Sequence, residues 1–530
     1  MTVDGRDRVL GAGDWFDAEL GALLGTVCGA CRTPSFPPRT YCWRCGAGMH
    51  PQVLPRTGTV VARTTVRVAP PGFPAQYQVG VVELAPDLRV LARFADEAPG
   101  HGATVTVRTG LLREDESGEV VGPVFVAEDS TVVTQEATAA SPAGSSPGTP
   151  VAEPLRIAVA GVATTAFGRP DLPAERLAAE AALAAVADAG LRADEVDAVV
   201  VGSAFATAAL GQRMLRYVPW GGRRMVNVEN ACASGTSALA EALALVRAGL
   251  AEVVVAVGAD IPVRSGGGLI PLDQEDPVAG IGVTLPSLYA LVGDRYQSAY
   301  QVGEDAFAEV VVRSRQNGSR NPDAFRRDAV TREDVLASRL IADPLTLFQC
   351  APNADGASAV VVVADHVRKR CAHPPVEIAG LALRAGYAKD RFTGESVVRR
   401  VAQAAYAQAG VHPEQVGVVE LHDAFAPAAL TNLEYLGLAE PGTAGHRLLA
   451  GDFRGGGTGP ALNPSGGLLS RGHPPGATGL AQVSELVRQL RGEAGDRQVD
   501  AEVAVVHTMG GTVLELETNA CVVGVLRRGR

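Results

Sequence analysis

The 530-residue sequence predicts an α/β protein in which a small, metal-stapled β module precedes a larger body made of two similar halves. Three observations support this prediction. Two Cys-x-x-Cys pairs lie close together near the start, a segment rich in Ala, Ser, Pro and Thr follows about residue 130, and part of the body is repeated 220 residues later. A chain of this length favours two to four domains.

The composition excludes several classes of protein. Hydrophobic residues make up 47% of the chain and charged residues 20%, which is typical of a globular protein and excludes global disorder. Asp and Glu outnumber Lys and Arg by 58 to 47, and the net charge of −11 would repel a nucleic-acid backbone. No apolar stretch approaches the roughly 20 residues of a membrane span, and no signal peptide is visible. We therefore expect a cytoplasmic protein without nucleic-acid partners.

The N-terminal module, predicted at residues 1–130, contains a zinc-binding pattern. Its ligands are Cys28 and Cys31, followed after ten residues by Cys42 and Cys45. Each Cys-x-x-Cys pair is typical of a turn that presents two thiolates to one ion, and two such pairs complete a tetrahedral site. Because four protein ligands leave no position for a substrate, we expect the zinc to be structural.

Four β-branched, partly alternating runs follow the cysteines, at 59–68, 78–84, 89–94 and 103–109. Turns rich in Pro, Gly and Asp separate them, so the pattern predicts a small β-barrel. The next segment, 131–153, is so rich in Ala, Ser, Pro, Gly and Thr that it has almost nothing to bury. We interpret it as a flexible linker.

The module resembles the zinc-ribbon and OB-fold proteins that accompany acyl-CoA thiolases. The resemblance rests on the segment CGACRTPSFPPRTYCWRCG, on the strand between Phe73 and Leu84, and on roughly residues 20–128 as a whole. It implies that the module binds acyl-CoA or docks to a thiolase. An oligonucleotide ligand would need stacking aromatic residues and a basic stripe, which are not visible in the sequence.

The body contains an internal duplication, which predicts two homologous α/β halves. Residues 185–205 match residues 405–425 at a constant offset of 220, and each copy has an Ala-rich helical pattern, a Gly stop and a β-branched strand. Further on, ACASGTSAL matches GHPPGATGL at an offset of 241, which places Cys232 opposite His473. Equivalent turns of the two halves thus each present a chemically capable side chain.

The two halves are predicted at residues 154–370 and 371–530. The first half holds a long insertion, at about 260–343, which exceeds a simple connection between elements. We expect this insertion to fold over the site. Its Tyr289 is interpreted as a core or substrate-lining residue rather than a catalyst.

Cys232 and His473 are the main candidates for catalysis. Cys232 follows a strand and precedes a helix, so we expect the helix dipole and free backbone N–H groups to lower the pKa of its thiol. His473 lies in the glycine-rich segment NPSGGLLSRGHPPGATGLAQ, where backbone can approach a ligand and an imidazole can point into a pocket. His473 could therefore take the proton of Cys232.

Two further histidines follow predicted strands of the second half. His422 stands at the carboxyl end of a strand, where α/β sites gather, and its repeat partner in the first half is Gly202. His507 follows another strand and leads into Gly510 and Gly511. Such a strand-to-glycine turn can supply N–H groups to an oxyanion.

From about residue 155 onwards, the chain resembles the thiolase superfamily, in particular the sterol-carrier-protein-linked and archaeal thiolases. The resemblance rests on ENACASG, DPLTLFQCAPNADGASAVVV, LHDAF and NPSGGLLSRGHPPGATG. It implies a duplicated five-layer thiolase fold, a homodimer formed through the body, and a coenzyme A or carrier thioester as substrate. By the same resemblance, Cys232 accepts the acyl group, His473 activates it and His422 lines the oxyanion hole.

One departure from the family concerns its second acid/base cysteine. Thiolases carry it in a C-terminal Cys-x-Gly motif or in a His-Asp-Cys-Phe motif, where this chain reads HTMGG and His422-Asp423-Ala424-Phe425. His422 or His507 could replace it, since an imidazole titrates near neutrality. Alternatively, the acceptor needs no strong base, as with a malonyl thioester that decarboxylates or an electron-rich aromatic or enol acceptor.

The leading hypothesis is a thiolase-type acyltransferase. The acyl group of a thioester would pass to Cys232 and then to a carbon nucleophile, in a Claisen-type condensation, or to CoA in reverse. One alternative is a retro-aldol lyase that cleaves a β-hydroxyacyl-CoA, although that chemistry would not need an intact Cys232. Another is a noncatalytic acyl-CoA-binding partner, which the complete Cys-His-His set disfavours. We expect the fused N-terminal module to help bind or deliver acyl-CoA.

Overall fold

The computed structural model describes residues 8–11, 14–115, 118–127, 157–206, 208–269, 277–386, 396–456, 458–511 and 518–529. The predicted linker, residues 131–153, lies outside the described residues, and so do residues 270–276 of the predicted insertion. Within the described residues, no helix is both long and apolar enough to cross a membrane.

The described residues of the N-terminal module form ten strands. They are β1 (Arg8–Val9), β2 (Phe16–Asp17), β3 (Ala22–Cys28), β4 (Pro34–Ser35), β5 (Met49–Val53), β6 (Thr57–Val66), β7 (Tyr77–Ala85), β8 (Leu88–Arg93), β9 (Thr104–Asp115) and β10 (Gly118–Ala127). Strand β3 pairs with β2, β4 and β5 to form the ribbon that carries the cysteines. The other strands follow the order β1-β10-β9-β6-β7-β8, and a bridge between Phe94 and Phe125 brings the end of β8 to β10. The predicted barrel is confirmed.

The first half of the body alternates strands and helices. Its elements are β11 (Ala158–Thr164), α1 (Ala174–Asp188), β12 (Ala198–Gly202), α2 (Leu210–Met214), β13 (Arg224–Val228), α3 (Ser234–Arg247), β14 (Val253–Asp260), α4 (Pro277–Gly280), α5 (Leu285–Tyr300), α6 (Glu304–Gly318), α7 (Arg332–Ala337), β15 (Leu340–Ala342), β16 (Leu345–Thr346), β17 (Gly356–Val363) and α8 (Asp365–Arg368). Elements α4 to β16 fall within or directly after the predicted insertion. Strand β15 pairs with β6, so the insertion extends the sheet of the N-terminal module.

The second half repeats the alternation. Its elements are β18 (Val376–Ala385), α9 (Val397–Ala409), β19 (Val418–Glu420), α10 (Ala426–Tyr435), α11 (Ala444–Leu449), β20 (Ala461–Leu462), α12 (Gly467–Arg471), α13 (Pro475–Arg491), β21 (Val503–Gly510) and β22 (Ala520–Arg527). Strands β12 and β19 begin 220 residues apart, as the repeat predicts. Helices α3 and α13 begin 241 residues apart, which is the offset of the second repeat.

The two halves share one strand topology. The sheet runs β13-β12-β14-β17-β11 through the first half and β18-β22-β21-β19-β20 through the second. When the five strands that each half contributes to this sheet are numbered along the chain, both halves have the order 3-2-4-5-1, and the two first strands meet at the centre. There Ala158 pairs with Glu377 and Val159 with Val376. The duplication seen in the sequence is therefore a duplication of topology.

Helices α3 and α13 lie between the two halves and bury most of their side chains. One hydrophobic core joins these helices to strands of both halves, while separate cores pack α1 outside the first half and α9 outside the second. This arrangement gives five layers. The backbones approach so closely that a Cβ atom at Gly235 or Gly258 would lie 2.4 or 1.9 Å from the carbonyl oxygen of Gly476. Glycine at these positions thus lets the start of α13 approach both α3 and strand β14.

Candidate active site

Cys232 lies in the tight turn between β13 and α3. The Oγ of Ser234 donates a hydrogen bond to the carbonyl of Ala231 at 2.6 Å and accepts one from the backbone N–H of Asn230 at 2.9 Å. Ala231 has a left-handed backbone conformation, with φ of 46°. These features hold the turn so that the partly exposed Cys232 stands at the N-terminal end of α3.

His473 lies in the equivalent turn of the second half, between α12 and α13. Its backbone N–H donates to the carbonyl of Pro352, and its side chain is buried. Nε2 of the ring lies 3.2 Å from Sγ of Cys232, so the structure brings together the two residues that the repeat placed opposite each other. Gly472 before it has φ of 97°, and a Cβ there would lie 2.7 Å from Cβ of Ala354. The glycine at position 472 therefore leaves room for the chain that places the His473 imidazole next to Cys232.

Thr478 determines which nitrogen of His473 carries a proton. Its Oγ1 donates to the carbonyl of Pro474 at 2.8 Å and lies 2.7 Å from Nδ1 of His473. A hydroxyl has a single hydrogen, so Oγ1 must accept a hydrogen bond from an N–H at Nδ1. Nε2 then carries the lone pair and faces the thiol, as a base requires.

Asp260 connects the turns of the two halves. Its buried carboxylate accepts hydrogen bonds from the Ser203 hydroxyl at 2.8 Å, from the backbone N–H groups of Ala204 and Phe205, and from that of Gly476 at 2.6 Å. Gly476 lies in the first turn of α13, three residues after His473. Asp260 thus anchors the helix that follows the base to strand β14 of the half that carries the nucleophile.

His422 follows β19 and lies next to the Cys232–His473 pair. One donor atom of each of these three residues lies within 4.8 Å of the others, and the two imidazole rings meet edge to face with centroids 5.3 Å apart. The Asn432 side chain donates to the His422 carbonyl at 3.1 Å. Nδ1 of His422 has no hydrogen-bond partner among the described residues. Three such donors could also bind a soft metal ion, but they are the set that acyl transfer needs.

A buried polar network holds the segment around His422. The carboxylate of Glu420 accepts hydrogen bonds from the backbone N–H and the hydroxyl of Ser465, at 2.8 and 2.7 Å. Arg471 in turn donates to the Ser465 hydroxyl at 3.2 Å. The side-chain oxygen of Asn463 accepts from the backbone N–H of Leu421 at 2.8 Å. The segments LHDAF and NPSGG are therefore fixed to each other next to the site.

His507 differs from the prediction in its position. It lies inside β21, which continues to Gly510, because Gly510 pairs with Ala520 of β22 rather than starting a turn. The ring accepts a hydrogen bond at Nδ1 from the backbone N–H of His422, at 3.5 Å, so its proton is on Nε2. That buried N–H has no partner among the described residues. His507 is thus set as a hydrogen-bond donor.

Gly510 and Gly511 lie against the Cys232 turn. A Cβ at Gly510 would lie 2.0 Å from the carbonyl oxygen of Asn230, so only glycine allows this approach. The backbone N–H of Gly511 hydrogen-bonds to the Cys232 sulfur and lowers its pKa, although other effects exceed it. Both glycines therefore lie next to the nucleophile, although Gly510 belongs to strand β21 rather than to the predicted turn.

The expected low pKa of Cys232 is wrong. Burial and the negative charge of Asp260 raise the pKa of this thiol to about 12, and they outweigh the hydrogen bonds from backbone N–H groups, which lower it. Burial also lowers the pKa of His422 and of His507 to about 3, and that of His473 well below its ordinary value. At neutral pH the site therefore holds a neutral thiol and three neutral imidazoles, and a base is needed to make the thiolate.

The four cysteines of the ribbon fit a zinc ion. Their sulfur atoms lie 3.5 to 3.6 Å apart in three of the pairs, Cys28–Cys45, Cys31–Cys42 and Cys31–Cys45. Zn–S bonds of about 2.3 Å in a tetrahedron place sulfur atoms about 3.8 Å apart. Strand β3 and the two turns thus bring all four ligands together as predicted, and a bound zinc would staple the ribbon.

Sequence reasoning missed two residues of the site. Thr478 follows His473 by five positions. The available signal was the Pro474-Pro475 pair, which starts a helix just after the histidine and so brings the first helical turn back over the ring. Asp260 is the last residue of β14, next to the insertion. Carboxylates are common where a strand leads into a loop, so its type and position carried no signal. Its four hydrogen bonds come from both halves, and only the folded chain shows them.

Comparison with known families assigns every part of the chain that the motifs singled out. Residues 15–49 match the ChsH2 rubredoxin-like zinc ribbon domain and residues 51–111 the ChsH2 C-terminal OB-fold domain. Residues 157–366 match the thiolase N-terminal domain and residues 379–521 the thiolase C-terminal domain-like family.

Individual proteins agree with these matches. The chain is 35% identical to the acetyl-CoA acetyltransferase of Methanothermobacter thermautotrophicus over 67% of its own length and 96% of that protein. It is 34% identical to the benzoylsuccinyl-CoA thiolase subunit BbsB of Thauera aromatica, over 67% and 95%. A solved structure titled "Ltp2-ChsH2(DUF35) aldolase" superposes with a TM-score of 0.61 at 29% identity, covering 71% of this chain and 98% of that one. The chain belongs to the thiolase family, as a thiolase-type acyltransferase with a zinc ribbon and an OB-fold domain ahead of its thiolase domains.

Proposed function

We propose that the enzyme forms an acyl-enzyme on Cys232 from an acyl-CoA thioester, with His473 as the base. The observation that carries this assignment is the 3.2 Å approach of Cys232 Sγ to His473 Nε2, the ring nitrogen that Thr478 leaves without a proton. A neutral imidazole at hydrogen-bond distance is what a buried, protonated thiol needs in order to react.

The acylation step follows from this geometry. The proton of the Cys232 thiol passes to Nε2 of His473 while the sulfur attacks the thioester carbonyl carbon. The carbonyl oxygen becomes an oxyanion, and we assign the Gly511 N–H and the His422 ring, which lie close to Cys232, as its donors. The bond to the CoA sulfur then breaks, and the leaving thiolate takes the proton from His473. Since the raised pKa of Cys232 disfavours a free thiolate, the proton transfer to His473 and the attack of the sulfur occur together.

The second step requires a proton to leave the carbon of the acceptor. We assign this role to His422, whose ring meets His473 and whose Nδ1 has no partner among the described residues. Its lowered pKa keeps it neutral and able to accept a proton. His507 is set as a donor by the backbone of His422, so it supports the adjacent ring rather than acting as the base. An acceptor that loses CO₂ would bypass this proton transfer.

The direct test is mass spectrometry of the protein after incubation with a panel of acyl-CoA thioesters. We expect one acyl adduct, on the peptide that contains Cys232, and its loss by at least about 10³-fold in Cys232→Ser. Cys350→Ser is the matched control, because Cys350 is a partly buried thiol whose pKa burial also raises to about 12. Turnover of Cys232→Ser at the wild-type rate would contradict the proposal.

A retro-aldol lyase is the second candidate, because the superposed structure is titled an aldolase and combines a ChsH2 component with its partner. That reaction breaks a C–C bond of a β-hydroxyacyl-CoA with a base and forms no acyl-enzyme. Cys232→Ala separates the two candidates. An acyltransferase loses its activity in this variant, whereas a lyase releases aldehyde or ketone at an unchanged rate.

The remaining assignments concern domains and substrate delivery. We propose the division into an N-terminal module at 1–130, a linker at 131–153 and thiolase halves at 154–370 and 371–530. The N-terminal module would help to bind acyl-CoA, since it contacts the insertion at Gly282, just before α5. A cytoplasmic location and the lack of a nucleic-acid partner stay predictions from the sequence.

We also propose a homodimer. Strand β13 ends the sheet of the first half, and in the described part of the chain it pairs on one side only, with β12. Val226 on this strand is 39% exposed, and nearby Leu215 and Tyr217 are 38% and 41% exposed. An open edge with apolar side chains is suited to pairing with a second copy. Light scattering should give twice the chain mass of 54.6 kDa, and Val226→Glu should shift it towards the monomer.

A further inference from the structure

Helix α5 lies between the N-terminal module and the catalytic centre. On one face, Leu288, Leu291 and Val292 are buried in the hydrophobic core of the module, together with Ile281 and Val283 just before the helix. On another face, Tyr289 belongs to a separate cluster next to the His422 segment. A single helix therefore contacts both the N-terminal module and the His422 segment.

The approach of the module to the start of α5 depends on a glycine. Tyr77 of β7 donates its hydroxyl to the carbonyl of Gly282 at 2.5 Å. Gly282 has φ of 91°, and a Cβ there would lie 2.7 Å from the ring of Phe73 and 2.9 Å from that of Tyr77. Any other residue would push the module away from this segment.

Polar contacts fix the same interface at two further points. The carboxylate of Asp294 on α5 accepts from the backbone N–H of Arg63 at 3.0 Å and lies 2.8 Å from Nε2 of His101. The carboxylate of Asp343 accepts two hydrogen bonds from the guanidinium of Arg67, at 2.6 and 2.8 Å. A two-pronged arginine–carboxylate contact sets orientation as well as distance.

The sheet of the module continues into this part of the thiolase body. Ala342 of β15 pairs with Val66 of β6, and it packs against Tyr289 and Leu345 in the cluster that also contains Ala428 of α10. The module thus supports Tyr289 from two directions, through α5 and through β15.

On the side of the site, the ring of Tyr289 stacks on the ring of Phe425, with centroids 4.6 Å apart and an angle of 22° between the planes. Phe425 precedes α10 and follows His422 by three residues. One turn along α5, a Cβ at Gly293 would lie 3.1 Å from Pro427. Residues 421–427, the His422 loop, are therefore packed directly on α5.

We propose that the N-terminal module is a structural part of the active site, because it holds α5 so that Tyr289 keeps the His422 loop in place. Tyr289 is a positioning residue that acts through Phe425. This inference rests on the proposed role of His422, whereas the Cys232–His473 pair sits on α3 and α13 and does not depend on α5. The module would then control the second step of the reaction and leave the reactivity of Cys232 unchanged.

The test compares two glycine variants of the full chain by hydrogen–deuterium exchange. Gly282→Ala adds a methyl group against Phe73 and Tyr77. Gly249→Ala is the matched control, because Gly249 also has a positive φ, of 65°, but has no atom within 4 Å of the added methyl. We expect backbone exchange in residues 421–427 to become at least about threefold faster in Gly282→Ala only, with residues 229–235 around Cys232 unchanged.

A second pair of variants tests the last contact alone. Tyr289→Leu removes the stacked ring and should accelerate exchange in residues 421–427, whereas Tyr289→Phe keeps the ring and should match the wild type. Alkylation of Cys232 by iodoacetamide should stay within about twofold of wild type in all four variants. Equal protection of the His422 loop in Gly282→Ala and Gly249→Ala, or equal effects of Leu and Phe at 289, would overturn the inference. Since exchange needs no turnover, this result is independent of the acyl-enzyme proposal.

Discussion

The two halves of the thiolase body have the same strand order but divide the chemistry between them. The first half presents one reactive group, the partly exposed Cys232. The second half presents three imidazoles, those of His422, His473 and His507, all of them buried and all with a lowered pKa. Duplication therefore supplied a frame that sets two turns face to face. Burial then keeps the three imidazoles of the second half neutral.

Removing His473 should break this division most strongly. In His473→Gln, acylation of Cys232 should fall by about 10³-fold, since a thiol with a pKa of about 12 supplies little thiolate. The residual rate should rise about tenfold per pH unit up to pH 11. In the wild type, the pKa of His473 is lowered well below 6.5, so its base form persists as the pH falls and acylation should stay level between pH 8 and 6.5.

Quenched-flow mass spectrometry of the Cys232 peptide measures both profiles. His366→Gln is the control, because His366 is 65% exposed and pairs only with Glu252 among the described residues. A wild-type acylation rate that itself rises tenfold per pH unit over this range would show that His473 does not act as the base.

Replacing His422 should separate the two steps of the reaction. In His422→Ala, we expect acyl-enzyme to form within about tenfold of the wild-type rate, while transfer to the carbon acceptor falls by about 10²–10³-fold. The acyl adduct should therefore accumulate on Cys232. Single-turnover analysis of adduct and product measures this, and an equal loss in both steps would contradict a specific role of His422 in the second step.

A smaller effect is expected at Thr478. Thr478→Val removes the acceptor that holds the proton on Nδ1 of His473, so part of the molecules adopt the other tautomer, and acylation should slow by about tenfold. Thr478→Ser keeps the hydroxyl and should restore the rate. A KM within about twofold of wild type in both variants would show that packing of the substrate site is unaltered. Equal acylation rates in Thr478→Val and Thr478→Ser would argue against control of the His473 tautomer by Thr478.

The smallest effect on the chemistry is expected at Asp260. Its charge raises the pKa of Cys232, so Asp260→Asn should lower that pKa and speed alkylation at pH 9 in a His473→Gln background. The same change weakens the contact of Gly476 with the first half, at a cost of about 1–3 kcal/mol in the free energy of unfolding. Iodoacetamide kinetics should show faster alkylation of Cys232, and thermal unfolding should show a less stable protein.

The sequence predicted the parts of the site that repeat or cluster along the chain. Two cysteine pairs ten residues apart, and a cysteine and a histidine at matched offsets, were visible because spacing alone reports them. The pKa of Cys232 was predicted in the wrong direction, because a helix N-terminus is visible in a sequence while the burial of the turn and the charge of Asp260 are not. The tautomer of His473 and the stack of Tyr289 on Phe425 depend on side-chain directions, which a pattern does not contain.

The pairing of β11 with β18 at Ala158 and Val159 joins the strands of both halves into one ten-stranded sheet. Together with the close glycine contacts that α13 makes with α3 and β14, this seam ties the two halves to each other. We therefore expect Cys232 and His473 to keep their separation of 3.2 Å during the catalytic cycle. If the two turns stay at this distance, the width of the acyl chain next to the thioester, more than its length, should limit what the enzyme accepts.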